Sequence, residues 1–178
     1  VVYLRFITFD HIFNTPILIV VNKSQSFMEI KWVDTHCHLQ LLNKNLDENH
    51  FKNIEFLVIP GVDVESSSKA KEISSSLEVE SYWSAGLHPH DAKLLDTQRH
   101  DLEKLFVEAD LIGETGLDFY RNLSTKEEQR ENFLFHLEFS KQLNKPIIIH
   151  CRDSFQDTYD LLVEFNNPSS VILHSWTG

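Results

Sequence analysis

Along this chain, short apolar runs end repeatedly in a residue able to hold a metal ion. Runs at 30–33, 56–59, 82–87, 111–113, 147–149 and 171–173 lead into His36 and His38, Pro60-Gly61, His88, Glu114, His150 and His174. They are nearly continuous in apolar residues, as strands covered on both faces must be. Helical spacing fills most of the gaps. Val64, Ala70, Ile73 and Leu77 follow Asp63 as N-cap, and Leu102, Leu105, Phe106 and Ala109 mark a second helix. Ser124-Thr125-Lys126-Glu127 fits a capping box ahead of Phe133, Leu134, Leu137 and Leu143. Asp153 is placed to cap a helix carrying Leu161, Leu162 and Phe165, while residues 39–55 read mostly as loop.

Strand and helix alternating in this way indicate an α/β fold with a parallel sheet. An open doubly wound sheet fits the alternation too. What favours a (β/α)8 TIM barrel is that the polar residues follow their strands, because the C-terminal strand ends of that barrel converge on one mouth. Residues 28–178 hold six such runs, about 25 residues apiece, so eight would reach the ~200–250 residues typical of the barrel. The expectation is an incomplete TIM barrel with about six of its eight βα units.

Residues 1–27 do not share the pattern. The apolar run at 16–21 is far short of the ~20 residues that a membrane helix needs, and no small-residue cleavage site follows it. The only methionine is Met28. The reading is therefore an N-terminal extension over 1–27, upstream of a natural start, and a hydrolase-type barrel domain over 28–178, with no membrane partner. Cys37 and Cys151 each adjoin a candidate ligand histidine and read as small wall residues rather than a disulfide. So few cysteines suit a reducing compartment such as the cytoplasm. Sixteen basic against 27 acidic residues give a net charge of −11, which argues against charge-driven coating of nucleic acid. It does not exclude an enzyme that holds phosphates through bound cations, since a metal inverts the local charge.

His36 and His38 are two residues apart, so on a strand end they share a face while Cys37 turns away. A histidine pair, a glutamate and two further histidines form a ligand set for two divalent ions, whether Mg, Mn or Zn. A carboxylate can bridge two ions. Held ~4 Å apart, such ions share and activate a water and stabilise an in-line displacement at phosphorus. Any one of these histidines alone would read as a surface or satisfied core residue. Their recurrence at comparable strand ends does not.

Four motifs make the reading specific: Asp34-Thr35-His36-Cys37-His38-Leu39, Gly86-Leu87-His88-Pro89-His90, Gly113-Glu114-Thr115-Gly116-Leu117-Asp118-Phe119-Tyr120-Arg121, and Pro146 through His150-Cys151-Arg152-Asp153-Ser154. In order and spacing they resemble the TatD-type metal-dependent deoxyribonuclease family, over roughly residues 28–178. The two-histidine motif alone would indicate only the wider amidohydrolase-like superfamily. The resemblance implies a TIM-barrel hydrolase that cleaves DNA phosphodiesters by a metal-activated water, often from a 3′ end. It also implies that His36 and His38 bind one metal, Glu114 bridges as the catalytic carboxylate, and His150 and His174 bind the second.

The chain departs from the family's pattern twice. In His174-Ser175-Trp176-Thr177-Gly178 the aromatic stands one place later than the family has it. The family also supplies a late aspartate from the eighth barrel strand to the first metal, and none of the 178 residues can be given that role. On this ground the 178 residues alone are expected to be inactive. Arg152 and Arg121 are candidates to hold a substrate phosphate, since guanidinium suits phosphate geometry, or else to form structural ion pairs. His88 either contacts substrate or shapes its loop. Asp34 reads as a support for the histidines, and the roles of Asp118 and Tyr120 stay open. Two other functions compete: hydrolysis of another ester or amide, such as an aminoacyl-tRNA ester or a small cyclic amide, and a catalytically inactive fragment. Relatives of the amide-cleaving kind often carry a modified lysine after strand four, where this chain has Glu114.

Overall fold

Six strands line up in the order in which the chain makes them. They are β3 (Trp32–Asp34), β4 (Ile54–Pro60), β5 (Glu80–Ala85), β6 (Leu111–Asp118), β7 (Ile147–Arg152) and β8 (Val171–His174), all parallel. The computed structural model describes residues 4–7, 17–20, 30–42, 47–165 and 170–174. β1 (Leu4–Ile7) and β2 (Ile17–Val20) pair with each other as a separate antiparallel sheet, with β2 passing beside β3. Met28 and residues 175–178, Trp176 among them, lie outside the described residues.

A doubly wound sheet reverses its strand order at a switch point, and this sheet has no reversal. It also curls. His36, just past edge strand β3, stacks on His174 of edge strand β8, with ring centroids 3.5 Å apart. In a flat sheet, five strand spacings of ~4.8 Å would hold those edges about 24 Å apart. The architecture is that of an incomplete TIM barrel, with six of its eight strands among the described residues.

The helices α1 (Val64–Ser76), α2 (Leu95–Glu108), α3 (Lys126–Leu143) and α4 (Phe155–Glu164) lie between successive strands. Each connects parallel neighbours, as a crossover must. Asp63 caps α1 as expected, accepting from Ser66 N–H at 2.6 Å. The box at the head of α3 is shifted by one residue: Thr125 is the N-cap and Glu128 its partner. Ser124 instead donates to the His90 carbonyl, tying α3 to the loop after β5. Asp153 does not cap α4. It sits at φ 53° and Ser154 takes the N-cap place, its hydroxyl donating to the Leu117 carbonyl. Residues 39–55 contain two 3-10 turns, Leu39–Leu41 and Glu48–Phe51. Both cysteines are free thiols, and no helix among the described residues is long and apolar enough to cross a membrane.

Two apolar layers follow from the two faces of the strands. Ile59, Ile112, Leu117, Ile147 and Ile149 pack outward against Phe106, Phe133, Leu137 and Leu161 of the helices. Val58, Leu111 and Ile148, with Phe56 and Ile172, pack on the inner face. Residues two apart share a face. The inner positions after Ile148 and Ile172 are therefore His150, Arg152 and His174. The strand alternation that builds the inner core below also delivers the polar residues above it.

Candidate metal centre

Every residue of β6 is buried, including Glu114, which is 2% exposed. Glycine makes the strand's irregular path possible: Gly113 has φ +107°, and Gly116 has φ +137° with space for a Cβ closed by the His150 carbonyl oxygen at 2.1 Å. Glu114, His150 and His174 thus lie within their strands, not after them as the sequence suggested. The apolar stretches of β6 and β7 stop before hydrogen bonding does, since their ladder continues to Asp118 and Arg152.

Glu114 is the centre of the cluster. Its Oε2 lies 3.1 Å from His36 Nε2 and 3.5 Å from His38 Nε2. Its Oε1 lies 3.1 Å from His150 Nδ1, 3.6 Å from His174 Nε2 and 3.8 Å from His88 Nε2. Burial alone would raise this carboxyl. The electrostatic attraction of His36 and the close contacts of His150, His36 and His38 outweigh it and hold Glu114 well below the usual carboxylate range.

For His38, His150 and His88 the partner of one ring nitrogen shows what the other can do. His38 Nδ1 faces the Pro60 carbonyl at 3.1 Å and must donate to it, leaving the Nε2 lone pair to the cluster. His150 Nε2 faces Asp118 Oδ2 at 3.0 Å, which assigns its proton there and turns Nδ1 toward Glu114. Burial works against a charge on His150, but the bonds to Glu114 and Asp118 prevail and raise its pKa. His174 is pushed down to about 3, by burial first and then by His36, His150 and His38 against the pull of Glu114, so it is neutral. His88 differs. Its Nδ1 accepts the His90 N–H at 3.2 Å, so the neutral ring carries its proton on Nε2. Burial, with His150 and His90 adding, lowers His88 to about 3 despite Glu114 and Asp118.

Two groups of donors lie within 4.8 Å of one another and share Glu114: His36 with His174, and His88 with His150. The donor chemistry fits divalent cations, because several imidazole nitrogens and an ionised carboxylate face one point from several elements. Three donors per group leave positions open for water or substrate, as catalytic sites require. By distance His88 belongs to the second group. Its Nδ1 accepts the His90 N–H, so a neutral His88 carries a proton on Nε2 and cannot ligate through that atom, which leaves Glu114 and His150 as the ligands of that group. His36 Nε2 and His38 Nε2 stand 3.1 Å apart, an approach that a shared cation would favour.

The structure thus brings His36, His38, Glu114, His150 and His174 together, and adds His88. Arg152 lies beside them on the inner face of β7, its guanidinium 3.9 Å above the Tyr120 ring. Arg121 is exposed, and its backbone N–H donates to Asp118 Oδ1. Asp34 Oδ1 accepts the His36 N–H, the supporting role expected of it.

Sequence reasoning left Asp118 open and passed over His90. Asp118 Oδ2 meets both His150 Nε2 and His90 Nε2, the latter at 2.8 Å. A polar stripe on α3 also went unread. Gln129 bonds Asp118 N–H and C=O, Asn132 bonds the Leu87 carbonyl, and His136 Nε2 accepts the Leu87 N–H. All three are fully buried. Their spacing matched the apolar side of the helix, which was the one available signal.

The family model described as TatD related DNase matches residues 33–178. The chain belongs to this family. An uncharacterised metal-dependent hydrolase of Buchnera aphidicola (from Acyrthosiphon pisum) is 32% identical over 168 residues, covering 82% of this chain and 62% of that protein. The 3′-5′ ssDNA/RNA exonuclease TatD of Escherichia coli K12 is 35% identical over 127 residues, 68% of this chain and 48% of that one. The present TatD-family chain therefore spans about half to three-fifths of the length of these relatives. Among solved structures, a TatD homologue of E. coli K12 superposes with a TM-score of 0.73 at 20% identity, over 82% of this chain and 60% of that one. A TatD-family hydrolase of Entamoeba histolytica gives 0.66, also at 20% identity, over 76% and 55%. These likenesses support the barrel architecture.

Proposed function

We propose that this chain carries the metal-binding face of a divalent-metal-dependent hydrolase that cleaves DNA phosphodiester bonds, working from the 3′ end of single strands. The observation that carries the reading is Glu114: one buried, ionised carboxylate turns its two oxygens to different sets of histidines. That is the arrangement a bridging ligand needs. His36 and His38 would hold one ion, His150 and His174 the other, with Glu114 shared. Divalent ions bound there would supply Lewis-acid charge to a phosphate and lower the pKa of water.

The remaining roles fall to the chain's own groups. Asp118 Oδ2 holds the His150 Nε2 proton and so fixes that ring's orientation. His88, neutral and protonated on Nε2, directs that N–H toward His150 Nδ1 at 3.3 Å, and would turn it to a phosphate oxygen if a cation took the His150 lone pair. Arg152 stands on the same strand face to orient the substrate, and Arg121 follows Asp118 at the rim. The E. coli relative described as a 3′-5′ ssDNA/RNA exonuclease supports the choice of substrate class.

The test is nucleotide release from a 3′-labelled single-stranded oligonucleotide in Mg²⁺ or Mn²⁺. It should be run on the 178 residues, on a version lengthened by two βα units, and on the His36→Ala variant of each. We expect release from the lengthened form alone, lost with His36. Hydrolysis of aminoacyl esters or cyclic amides by a form that leaves DNA intact would overturn the reading.

A further inference from the structure

Among the described residues, Tyr120 is the most exposed large aromatic side chain, at 58%, and it lies beside the metal centre. It is nonetheless tightly placed. Its backbone N–H donates to Asp118 Oδ1 at 3.1 Å, and the other oxygen of that carboxylate holds His150. The Arg152 guanidinium lies 3.9 Å above the Tyr120 ring. Arg152 and His150 occupy one face of β7, two residues or roughly 6.6 Å apart, within reach of a single nucleotide. The ladder pairs Asp118 with Arg152 directly. An exposed ring is thus held by two anchors, one of them the carboxylate that also holds the candidate ligand His150.

Such a ring has one face covered by a cation and the rest open to solvent. We propose that the Tyr120–Arg152 pair is a stacking subsite for the unpaired base of the nucleotide whose phosphate sits at the metal centre. Every base offers a π-face, so the contact selects for single strands without selecting a sequence. A base inside a duplex has both faces occupied by its neighbours and cannot use the ring. Arg152 adds a cation beside the stack and a donor fork for the adjoining phosphate. Lys126, whose Nζ lies 4.0 Å over the neighbouring Phe119 ring, keeps a second positive charge beside this rim of an otherwise acidic chain. The inference rests on the nuclease reading above and names the feature that would make the site prefer single strands.

The experiment is a binding titration of the 178-residue chain in Mg²⁺. The probe is a short single-stranded oligonucleotide with phosphorothioate linkages and 2-aminopurine at its 3′ end, whose fluorescence is quenched by stacking. Wild-type protein should quench the probe. Tyr120→Leu should bind about 5- to 100-fold more weakly and lose the quench, while Tyr120→Phe keeps both and the melting temperature of Tyr120→Leu stays unchanged. An abasic 3′ end should lower wild-type affinity to the Tyr120→Leu level and leave Tyr120→Leu indifferent, a comparison that needs only wild-type protein for its first half. If wild-type protein binds the oligonucleotide but neither Tyr120→Leu nor the abasic end alters affinity, the subsite is overturned and the nuclease reading stands. If it binds no oligonucleotide at all, the subsite is overturned, and the nuclease reading stands or falls on release by the lengthened form.

Discussion

Replacing His136 with leucine would separate the α3 scaffold from the metal centre that it supports. His136 is fully buried, accepts the Leu87 N–H at 3.0 Å and donates from Nδ1 to the Asn132 carbonyl at 2.7 Å. Leucine keeps apolar bulk against Phe106 and Phe135, whose rings lie 5.0 and 5.4 Å from the imidazole. The main loss is the acceptor, leaving a buried N–H unpaired at a cost of ~1–3 kcal/mol. Taking about 2 kcal/mol, a domain of this size should melt ~4–8 °C lower near neutral pH. Acid should erase the difference. Burial lowers His136 to about 4, the Asn132 carbonyl opposing and Arg99 adding to the fall, against ~6.5 in the unfolded chain. The unfolded chain therefore binds the extra proton first. Wild-type stability from this group is complete above pH ~6.5 and is lost as pH falls toward 4, by roughly 3 kcal/mol in all. The leucine variant has no such loss. Its deficit should close near pH ~5 and reverse below that, as measured by denaturant unfolding of both proteins from pH 4 to 8. A gap that stays constant across this range would refute the buried neutral imidazole, and no gap at pH 7.5 would refute the need for its acceptor.

Calorimetric metal titration should distinguish the bridging carboxylate from the outer ligands. Glu114→Ala is expected to abolish binding of both ions and His150→Ala to weaken mainly one, so equal loss of a single ion from both variants would sink the bridging role. The described residues of 1–27, 4–7 and 17–20, form a sheet separate from the barrel sheet, and a chain begun at Met28 is proposed to be at least as soluble and as stable as the longer one. A melting temperature lower by several degrees would show instead that the approach of β2 to β3 supports the fold.

Much of this protein is written in short-range sequence. Period-two and period-3.6 patterning and local caps are decided within a few residues, which is why six strands and the Asp63 cap of α1 could be read directly. The order of His36, His38, Glu114, His150 and His174 along successive strands also needed only topology to become a cluster. Tertiary structure decided what depends on contacts between distant residues. His36 meets Glu114 across 78 positions, and His136 meets Leu87 across 49. Which oxygen of Glu114 each histidine faces is set by contacts across dozens of residues that no local pattern reveals. The stripe of Gln129, Asn132 and His136 looked like misplaced polarity on an apolar helix face. Burial leaves such groups stable only when paired, and their partners are the backbone of the loops that hold the site. The sequence determined which residues meet at the barrel's mouth; the packing of α3 against β6 and the turn after β5 decided how firmly Asp118 and the segment leading into His88 are held there.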